Sequence, residues 1–256
     1  MDVAAFPYYR DLIRVLVAKD FRVRYRSTVL GYAWSVLHPL AFAVVFFFVF
    51  KTVMRIEMPG YALFLITGLF PWQCFSNSLN ASNFFFLGNG SLIKKVRFPR
   101  ALLVLAGVLN DQIHFAISIP VVVAFMLCHR VYPSLCWLYG VPLLVAVQLL
   151  FTYALCLLVA TLNVFFRDLE RLTAIFTMIL FYLTPIFYPA TMIPAGFRWA
   201  FYLNPVAAII TAWRGLFLEG TVDLPCYGLA LGFALAAFAV AQAVYGALEW
   251  RLAELV

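Results

Sequence analysis

The chain has 256 residues, of which 66% are hydrophobic and 11% are charged. Because a soluble domain carries about a quarter charged residues, this composition excludes a water-soluble globular protein and indicates one that lies in a lipid bilayer. The formal net charge of +7 is then a signal of membrane topology, and it requires no nucleic-acid partner. The five cysteines are scattered without paired spacing, which supports neither a disulfide framework nor a metal site.

Residues 1–26 form the first predicted element, an amphipathic helix. Five apolar residues recur at helical spacing and share one face: Tyr9, Leu12, Ile13, Leu16 and Val17. Arg10, Asp11 and Arg14 lie on the other side. We expect this helix to lie in the headgroup plane on the cytoplasmic side. There it either anchors the chain and sets its topology or guides an anionic lipid headgroup.

The remaining residues, 27–256, form the predicted transmembrane domain. Six segments carry no charged residue apart from Asp111: 27–50, 58–93, 101–129, 131–166, 172–197 and 224–248. Each exceeds the roughly 20 residues that cross about 30 Å of hydrocarbon. They are continuously apolar instead of alternating, which favours helices over the strands of a membrane barrel. The sequence therefore predicts an all-α membrane protein with six transmembrane helices.

The distribution of Lys and Arg predicts the orientation of these helices. If the N-terminus is cytoplasmic, thirteen of the eighteen basic residues lie in cytoplasmic segments. The other five lie in outer connections: Lys51, Arg55, Arg130, Arg198 and Arg214. Cytoplasmic loops carry the excess of Lys and Arg in membrane proteins. We therefore expect both termini to be cytoplasmic.

Two charged loops on the predicted cytoplasmic side have the character of docking surfaces. In the segment 94–100, four basic residues surround an aromatic-proline pair: Lys94, Lys95, Arg97, Phe98, Pro99 and Arg100. A topology signal needs such charges but not the Phe-Pro pair. The turn after the fourth span mixes both signs of charge at Arg167 and Asp168. We predict that both loops contact a soluble partner.

Between the fifth and sixth spans, at 190–220, the pattern predicts helices that do not cross the membrane. The uncharged run 199–213 is 15 residues long, which is too short to span. Asn204 and Pro205 supply an N-cap and a preferred first helical residue, and Gly220 supplies a stop. We expect a helix over 205–219 and a second short helix before it, both re-entrant from the outer leaflet. Such backbone is tolerated only where protein buries it or water lines it, which suggests a pathway.

The sequence contains no phosphate loop, no His-Glu-x-x-His and no Gly-x-Ser-x-Gly. It therefore offers no recognisable motif for nucleotide hydrolysis or covalent catalysis, and we assign no catalytic residue and no metal site. Asp111 is the one acid deep within a predicted span, and His114 lies one helical turn away. This pair is either a proton relay or a structural bond to a neighbouring helix.

Aromatic residues gather toward the predicted outer ends of spans one and five. Those of span five include Tyr182, Phe187 and Tyr188. An aromatic belt at the membrane interface explains such residues without any ligand. Alternatively, flat apolar faces with polar edges form a sliding surface for sugar rings, whose C–H faces are weakly apolar. On the second interpretation these three residues line the path of a glycan.

Four segments in order along the chain resemble the signature segments of type-2 ABC transporter permeases that export O-antigen, capsular polysaccharide or teichoic acid. They are RVRYRSTVLGYAW at 22–34 with the following His38-Pro39, KKVRFP at 94–99, FRDL at 166–169, and LNP at 203–205 with RGL at 214–216. The chain departs from the pattern after KKVRFP, where many members carry another proline and this chain has Ala101, Leu102 and Leu103.

The resemblance implies a homodimer of six-helix permeases in the bacterial inner membrane, docked on two copies of a separate ABC ATPase. ATP and magnesium would bind to that partner, so this chain would be no enzyme and would hold no cofactor. The substrate would be a polysaccharide on a polyprenyl pyrophosphate or phospholipid anchor. The segment 94–100, with Arg167 and Asp168, would couple to the ATPase, and 190–220 would close the pore from the periplasm. Arg22, Arg24 and Arg26 become candidate contacts to the phosphate of the lipid headgroup.

Two other classes of protein stay open at this point. An ion-coupled small-solute carrier would need several intramembrane charges and repeated architecture, whereas the spans hold Asp111 and no evident repeat. A membrane-embedded polyprenyl-sugar transferase would need acids or histidines clustered at one membrane face, and the sequence offers no such cluster.

Overall fold

The computed structural model describes residues 6–25, 31–53, 55, 58–96 and 98–255, and the described part of the chain is helical without strands. The ten α-helices within it are α1 (Phe6–Tyr25), α2 (Trp34–Phe47), α3 (Tyr61–Ser82), α4 (Gly90–Lys95), α5 (Ala101–Cys128), α6 (Trp137–Phe165), α7 (Leu169–Leu183), α8 (Arg198–Tyr202), α9 (Pro205–Arg214) and α10 (Leu224–Leu255). Short 3₁₀ turns cover Gly31–Ala33, Leu87–Asn89, Ala190–Met192 and Ala195–Phe197, and π-helical turns extend α2 over Phe48–Val53 and α9 over Gly215–Glu219. The predicted all-α class is confirmed.

The helices differ in their capacity to cross a membrane. Among the described residues, three are long and apolar enough to do so: Ala101–Cys128, Trp137–Phe165 and Leu224–Leu252. Helix α3 has 22 residues, and α2 continues into its π-helical turn. Helix α7 has 15 residues and ends at Leu183, which gives it a length of about 22 Å. It stops well short of the end of the predicted segment 172–197: Thr184 has an extended backbone, the conformation that a following proline, here Pro185, favours.

The core lies where α3, α5, α6 and α9 meet. Helix α10 packs along α6, and α3 packs against α2, α5, α6 and α9. Leu65 on α3, Val104 and Val108 on α5, and Leu157 on α6 are fully buried. These contacts fix the relative positions of the helices that carry the charged loops and the aromatic residues.

Two hydrogen bonds gather several chain segments at one end of the bundle. Near the end of α6, Asn163 Nδ2 donates to the Asn83 carbonyl oxygen at 2.8 Å, so the ends of α3 and α6 meet. Arg100 Nη1 donates to the Glu249 carbonyl oxygen at 2.5 Å, which adds the last turns of α10. We call this the α4 end. It comprises the connection from α3 to α5, the turn from α6 to α7, and the end of α10.

Helix α1 is attached to this end, and its two faces differ in exposure. Lys19 Nζ donates to Asn89 Oδ1 at 2.7 Å. Leu16 is buried, while the charged side chains of the opposite face are exposed. The rings of Phe21 and His114 lie 4.8 Å apart. The apolar side of α1 therefore covers α5 of the same chain.

Two further hydrogen bonds define the opposite end of the bundle. Tyr61 Oη donates to the Phe187 carbonyl oxygen at 2.7 Å, which joins the start of α3 to the residues after α7. Ser134 Oγ donates to the Gly220 carbonyl oxygen at 2.6 Å, which joins the α5–α6 connection to the end of the π-helical turn. We call this the α8 end. It comprises the connections from α2 to α3, from α5 to α6, and from α7 to α10.

The predicted helix over 205–219 is confirmed as α9 and its π-helical extension. The Asn204 side chain accepts from the Val206 and Ala207 amides at 3.0 and 3.2 Å, which is the predicted N-cap. Gly220 ends the helix in the left-handed conformation, with φ +70°, which glycine adopts without steric cost. Most of α9 is buried in the protein.

Candidate functional site

Helix α4 presents two lysines of the predicted docking loop. Ile93 is buried and holds the helix against the core, whereas Lys94 and Lys95 are exposed. The 3₁₀ turn before α4 is held to α1 by the bond between Lys19 and Asn89. The exposed ammonium groups therefore stand on a short helix that is fixed on its inner side, which suits a surface contact.

The residues after α4 have a different role from the one that their composition suggests. Phe98 is half-buried and packs against the core. Pro99 and Arg100 are also half-buried, and the Arg100 guanidinium bonds to the Glu249 carbonyl on α10. Arg97 lies outside the described residues. The predicted coupling cluster thus divides into a surface pair of lysines and a set that fastens the loop to its own chain.

The second predicted loop is exposed at the same end. Phe166, Arg167 and Asp168 all have exposed side chains, and they join α6 to α7. Asp168 precedes the first residue of α7 without capping it through its side chain. The structure therefore brings both predicted docking loops to the α4 end, where an aromatic ring and both signs of charge are accessible.

Of the three arginines predicted to contact a lipid headgroup, one has a described side chain. Arg22 is exposed near the end of α1. Arg24 belongs to the last turn of α1 with a side chain outside the described part, and Arg26 lies outside the described residues. Lys19, one helical turn before Arg22, donates a hydrogen bond to the Asn89 side chain.

The three residues predicted to line a glycan path meet at the α8 end. They belong to an aromatic cluster: Phe46, Phe50, Phe181, Tyr182, Phe187 and Tyr188. The Phe187 ring lies 5.6 Å from that of Phe46 and 5.2 Å from that of Phe50. It also lies 6.0 Å from the Tyr182 ring and 5.1 Å from the Tyr188 ring. Phe187 is therefore the packed centre of the cluster.

Tyr182 is the exposed member of this cluster, and Tyr188 is half-buried beside it. Tyr182 is 59% exposed, and Tyr188 Oη donates to the Tyr182 carbonyl oxygen at 3.2 Å. Burial raises the pKa of the Tyr188 hydroxyl. A sliding surface for sugar rings would thus offer the exposed Tyr182 ring and the half-buried Tyr188 ring, both of which contact Phe187.

Asp111 and His114 lie inside the bundle. Asp111 is 2% exposed and accepts a hydrogen bond from Ser78 Oγ at 2.8 Å, which joins α5 to α3. His114 is buried beside Phe21. The Asp111 carboxylate thus bonds a neighbouring helix. Within the described ranges, no three His, Cys, Asp or Glu side chains are grouped closely enough to hold a metal ion.

One residue that the sequence placed in an outer loop is an internal cation. Arg214 is 8% exposed, and its guanidinium donates to the carbonyl oxygens of Pro185 and Ile186. Its neighbour Trp213 is also buried, and Trp213 Nε1 donates to Gln148 Oε1 at 2.6 Å. Neither contact has a local sequence signal, because the partners lie far apart along the chain.

Comparison with known proteins covers nearly the whole chain. The family described as ABC-2 type transporter matches residues 11–218. An O-antigen export system permease protein of Klebsiella pneumoniae is 43% identical over 249 residues, which are 97% of this chain and 96% of that protein. A Myxococcus xanthus protein of the same description is 31% identical over 214 residues, or 82% of each chain. A polysialic acid transport protein of Escherichia coli is 22% identical over 264 residues, with 98% and 96% covered.

Proposed function

Because the chain belongs to the ABC-2 type transporter family, we propose that it is the membrane subunit of an ATP-driven exporter of a lipid-linked polysaccharide. The substrate class follows from relatives that are described as O-antigen export permeases and that align over almost their full length. Two copies of the chain form the channel in the bacterial inner membrane, and each docks on an ABC ATPase that binds ATP and magnesium. The polysaccharide is of O-antigen or capsule type.

The observation that supports this proposal most strongly is that the two ends of the bundle present different side chains. The α4 end presents the charged, accessible loops, with Lys94, Lys95, Arg167 and Asp168 exposed. The α8 end carries the aromatic cluster. A permease driven by a separate ATPase needs a docking surface on one side of the membrane and an exit on the other, and this arrangement supplies both.

The proposed topology assigns six crossings to α2 with its π-helical turn, α3, α5, α6, α7 and α10. Helices α8 and α9 then form the re-entrant region, and the burial of α9 supports this assignment. The α4 end faces the cytoplasm together with both termini, in agreement with the excess of basic residues there. The α8 end faces the periplasm.

In the proposed mechanism, ATP binding by the partners moves the α4 end of each protomer and opens a path between the two copies. Arg22, with Arg24 and Arg26, binds the anionic phosphate of the lipid anchor through charge-assisted hydrogen bonds. The glycan then slides outward over Tyr182 and Tyr188, whose ring faces contact the C–H faces of sugars.

Docking is tested by charge reversal at matched positions. We expect Lys94→Glu with Lys95→Glu to abolish co-purification of the ATPase and to remove surface polysaccharide, because both exposed cations become anions. The control is Lys51→Glu with Arg55→Glu, which makes the same change in charge at the exposed residues of the α8 end. Normal ATPase binding and export in the first variant would contradict the assignment of the docking surface.

The glycan path is tested by removing aromatic faces while the assembly is monitored. We expect Tyr182→Ala with Tyr188→Ala to reduce surface polysaccharide strongly and to leave membrane insertion and ATPase binding intact. The control is Tyr132→Ala with Tyr139→Ala, which removes two exposed tyrosines of the same end outside the cluster. Adding Phe187→Ala should also lower stability, since that ring is packed on several others. Normal export in the first double variant would refute the path.

A further inference from the structure

The non-helical residues after α7 are bonded at four consecutive positions, which we call the clamped segment (184–187). Thr184 Oγ1 accepts from Asn204 Nδ2 at 3.0 Å. The carbonyl oxygens of Pro185 and Ile186 both accept from the Arg214 guanidinium. The next carbonyl oxygen, at position 187, accepts from Tyr61 Oη at 2.7 Å. The segment is therefore tied to α9 at both ends of that helix and to the first residue of α3.

Arginine suits this position for a physical reason. The carbonyl groups of Pro185 and Ile186 lie past the end of α7 in a buried site, where a backbone oxygen needs a hydrogen-bond donor from elsewhere in the fold. The planar guanidinium fork presents several N–H groups at once and can serve two adjacent carbonyl oxygens. The guanidinium carbon of Arg214 also lies 3.6 Å from the centroid of the Phe64 ring, which stabilises the buried charge through the π face.

A glycine of α3 makes room for this cation. A Cβ atom placed at Gly68 would lie 2.5 Å from Arg214 Nη2 and 3.3 Å from the Ile186 carbonyl oxygen. Any larger residue at position 68 must therefore displace either the guanidinium or the backbone that it binds. Gly68 and Arg214 are 146 positions apart in the sequence, yet they form one structural unit.

We infer that Arg214 is a positioning residue for export: with Gly68, Asn204 and Tyr61 it holds the clamped segment so that α3, α7 and α9 move as one body. The clamped segment leads directly into Tyr188 and follows Tyr182 on α7, so its position determines where both tyrosine rings stand. This inference rests on the proposed function of those rings as a glycan path. It assigns to Arg214 a role in transport beyond that of a buried polar contact.

The test measures the clamp itself and transport separately. The permease is reconstituted with its ATPase in lipid nanodiscs, and amide hydrogen exchange is followed in a peptide that covers residues 184–190. We expect Arg214→Gln to accelerate exchange there by about tenfold, because charged hydrogen bonds to two carbonyls are lost. Arg214→Lys should fall between this variant and the parent, since an ammonium group lacks the planar fork.

Gly68→Ala tests the same unit without touching the arginine. We expect it to reproduce the faster exchange of Arg214→Gln and a matching loss of surface polysaccharide. The control is Gly228→Ala on α10, where a Cβ meets no atom within 4 Å, and it should behave like the parent. If Arg214→Gln fails to insert, Gly68→Ala and Arg214→Lys decide the question. Unchanged exchange in Gly68→Ala and Arg214→Lys overturns the clamp.

The outcomes separate this inference from the proposed glycan path. Suppose that exchange is faster in Arg214→Gln and Gly68→Ala but that both variants export normally, while Tyr182→Ala with Tyr188→Ala abolishes export. That result overturns the positioning role of Arg214 and leaves the glycan path intact. Normal export in that tyrosine variant refutes the path instead, and the exchange rates still decide whether the clamp exists. Faster exchange together with lost export, in both Gly68→Ala and Arg214→Gln, supports the inference.

Discussion

Gln148 lies on α6 and forms side-chain hydrogen bonds to α9 and to α3 in the interior of the bundle. The loss of stability on replacing it can be predicted quantitatively. Its Oε1 accepts from Trp213 Nε1 at 2.6 Å, and its Nε2 donates to the Pro71 carbonyl oxygen at 3.3 Å. Gln148 is 1% exposed and Trp213 is fully buried. If α9 is a re-entrant helix held by polar contacts, this bridge is one of its internal attachments.

The expected loss follows from the number of bonds broken. Interhelical hydrogen bonds in membrane proteins contribute about 0.6 to 1.7 kcal/mol each, and Gln148→Leu breaks two. We therefore expect it to lower the free energy of unfolding by about 1 to 3 kcal/mol, in part because the buried Trp213 N–H is left without an acceptor. Trp213→Phe removes the donor and strands the Gln148 acceptor in turn. The double variant strands neither group at this bond, so it should be more stable than the sum of the single effects predicts by about 1 to 2 kcal/mol.

The assay is unfolding of the purified chain in mixed detergent micelles, followed by circular dichroism so that loss of a tryptophan does not affect the signal. Trp137→Phe is the matched control, because Trp137 Nε1 donates to the Leu216 carbonyl oxygen at 3.0 Å and not to Gln148. When Trp137→Phe is combined with Gln148→Leu, the losses in the free energy of unfolding should add to within about 0.5 kcal/mol. Equal additivity for the Trp213 pair would refute the bridge between α9 and the bundle.

Two further predictions concern the cap of α9 and the orientation of the chain. Asn204→Ala should lower the free energy of unfolding by about 1 to 2 kcal/mol, and Asn204→Asp should recover the cap but not the bond to Thr184, since a carboxylate has no amide donor; equal stability of all three chains would contradict this. The orientation is tested with single cysteines in a chain that lacks the five native ones. Lys95→Cys and Arg167→Cys should react with a membrane-impermeant reagent added on the cytoplasmic side, whereas Tyr132→Cys and Thr221→Cys should react from the periplasmic side.

Local chemistry made the helix over 205–219 predictable. Asn204 as a cap, Pro205 in the first turn and Gly220 as a stop are signals that act within a few residues, and the structure uses all three. The amphipathic spacing in α1 is local in the same sense. The pattern did not show that the apolar side of α1 covers α5, because an apolar helix face can pack equally well against lipid or against protein.

The interior of the candidate site depends on tertiary packing instead. Composition alone makes Lys94 and Arg100 equivalent members of one basic cluster, yet one is exposed and the other bonds to α10. The chain direction after α4 decides this, and that direction is set by where α5 packs. Likewise the stacking of Phe187 among the other rings required α2 and α7 to be neighbours. Sequence could name the aromatic residues but could not separate the packed Phe187 from the exposed Tyr182.

Arg214 counts as a basic residue of an outer connection in the sequence, but the structure places its side chain inside the protein. The positive-inside comparison treats it as a cation of an outer connection, like Lys51, Arg55 and Arg130, which are exposed. Its charge is instead bonded within the fold, so the exposed surface of the α8 end is less basic than the count suggests. The orientation should therefore not depend on Arg214. We expect Arg214→Gln, combined with each of the four single cysteines, to keep the labelling pattern of the parent while the clamped segment loosens; an inverted pattern would show that this cation helps to orient the chain.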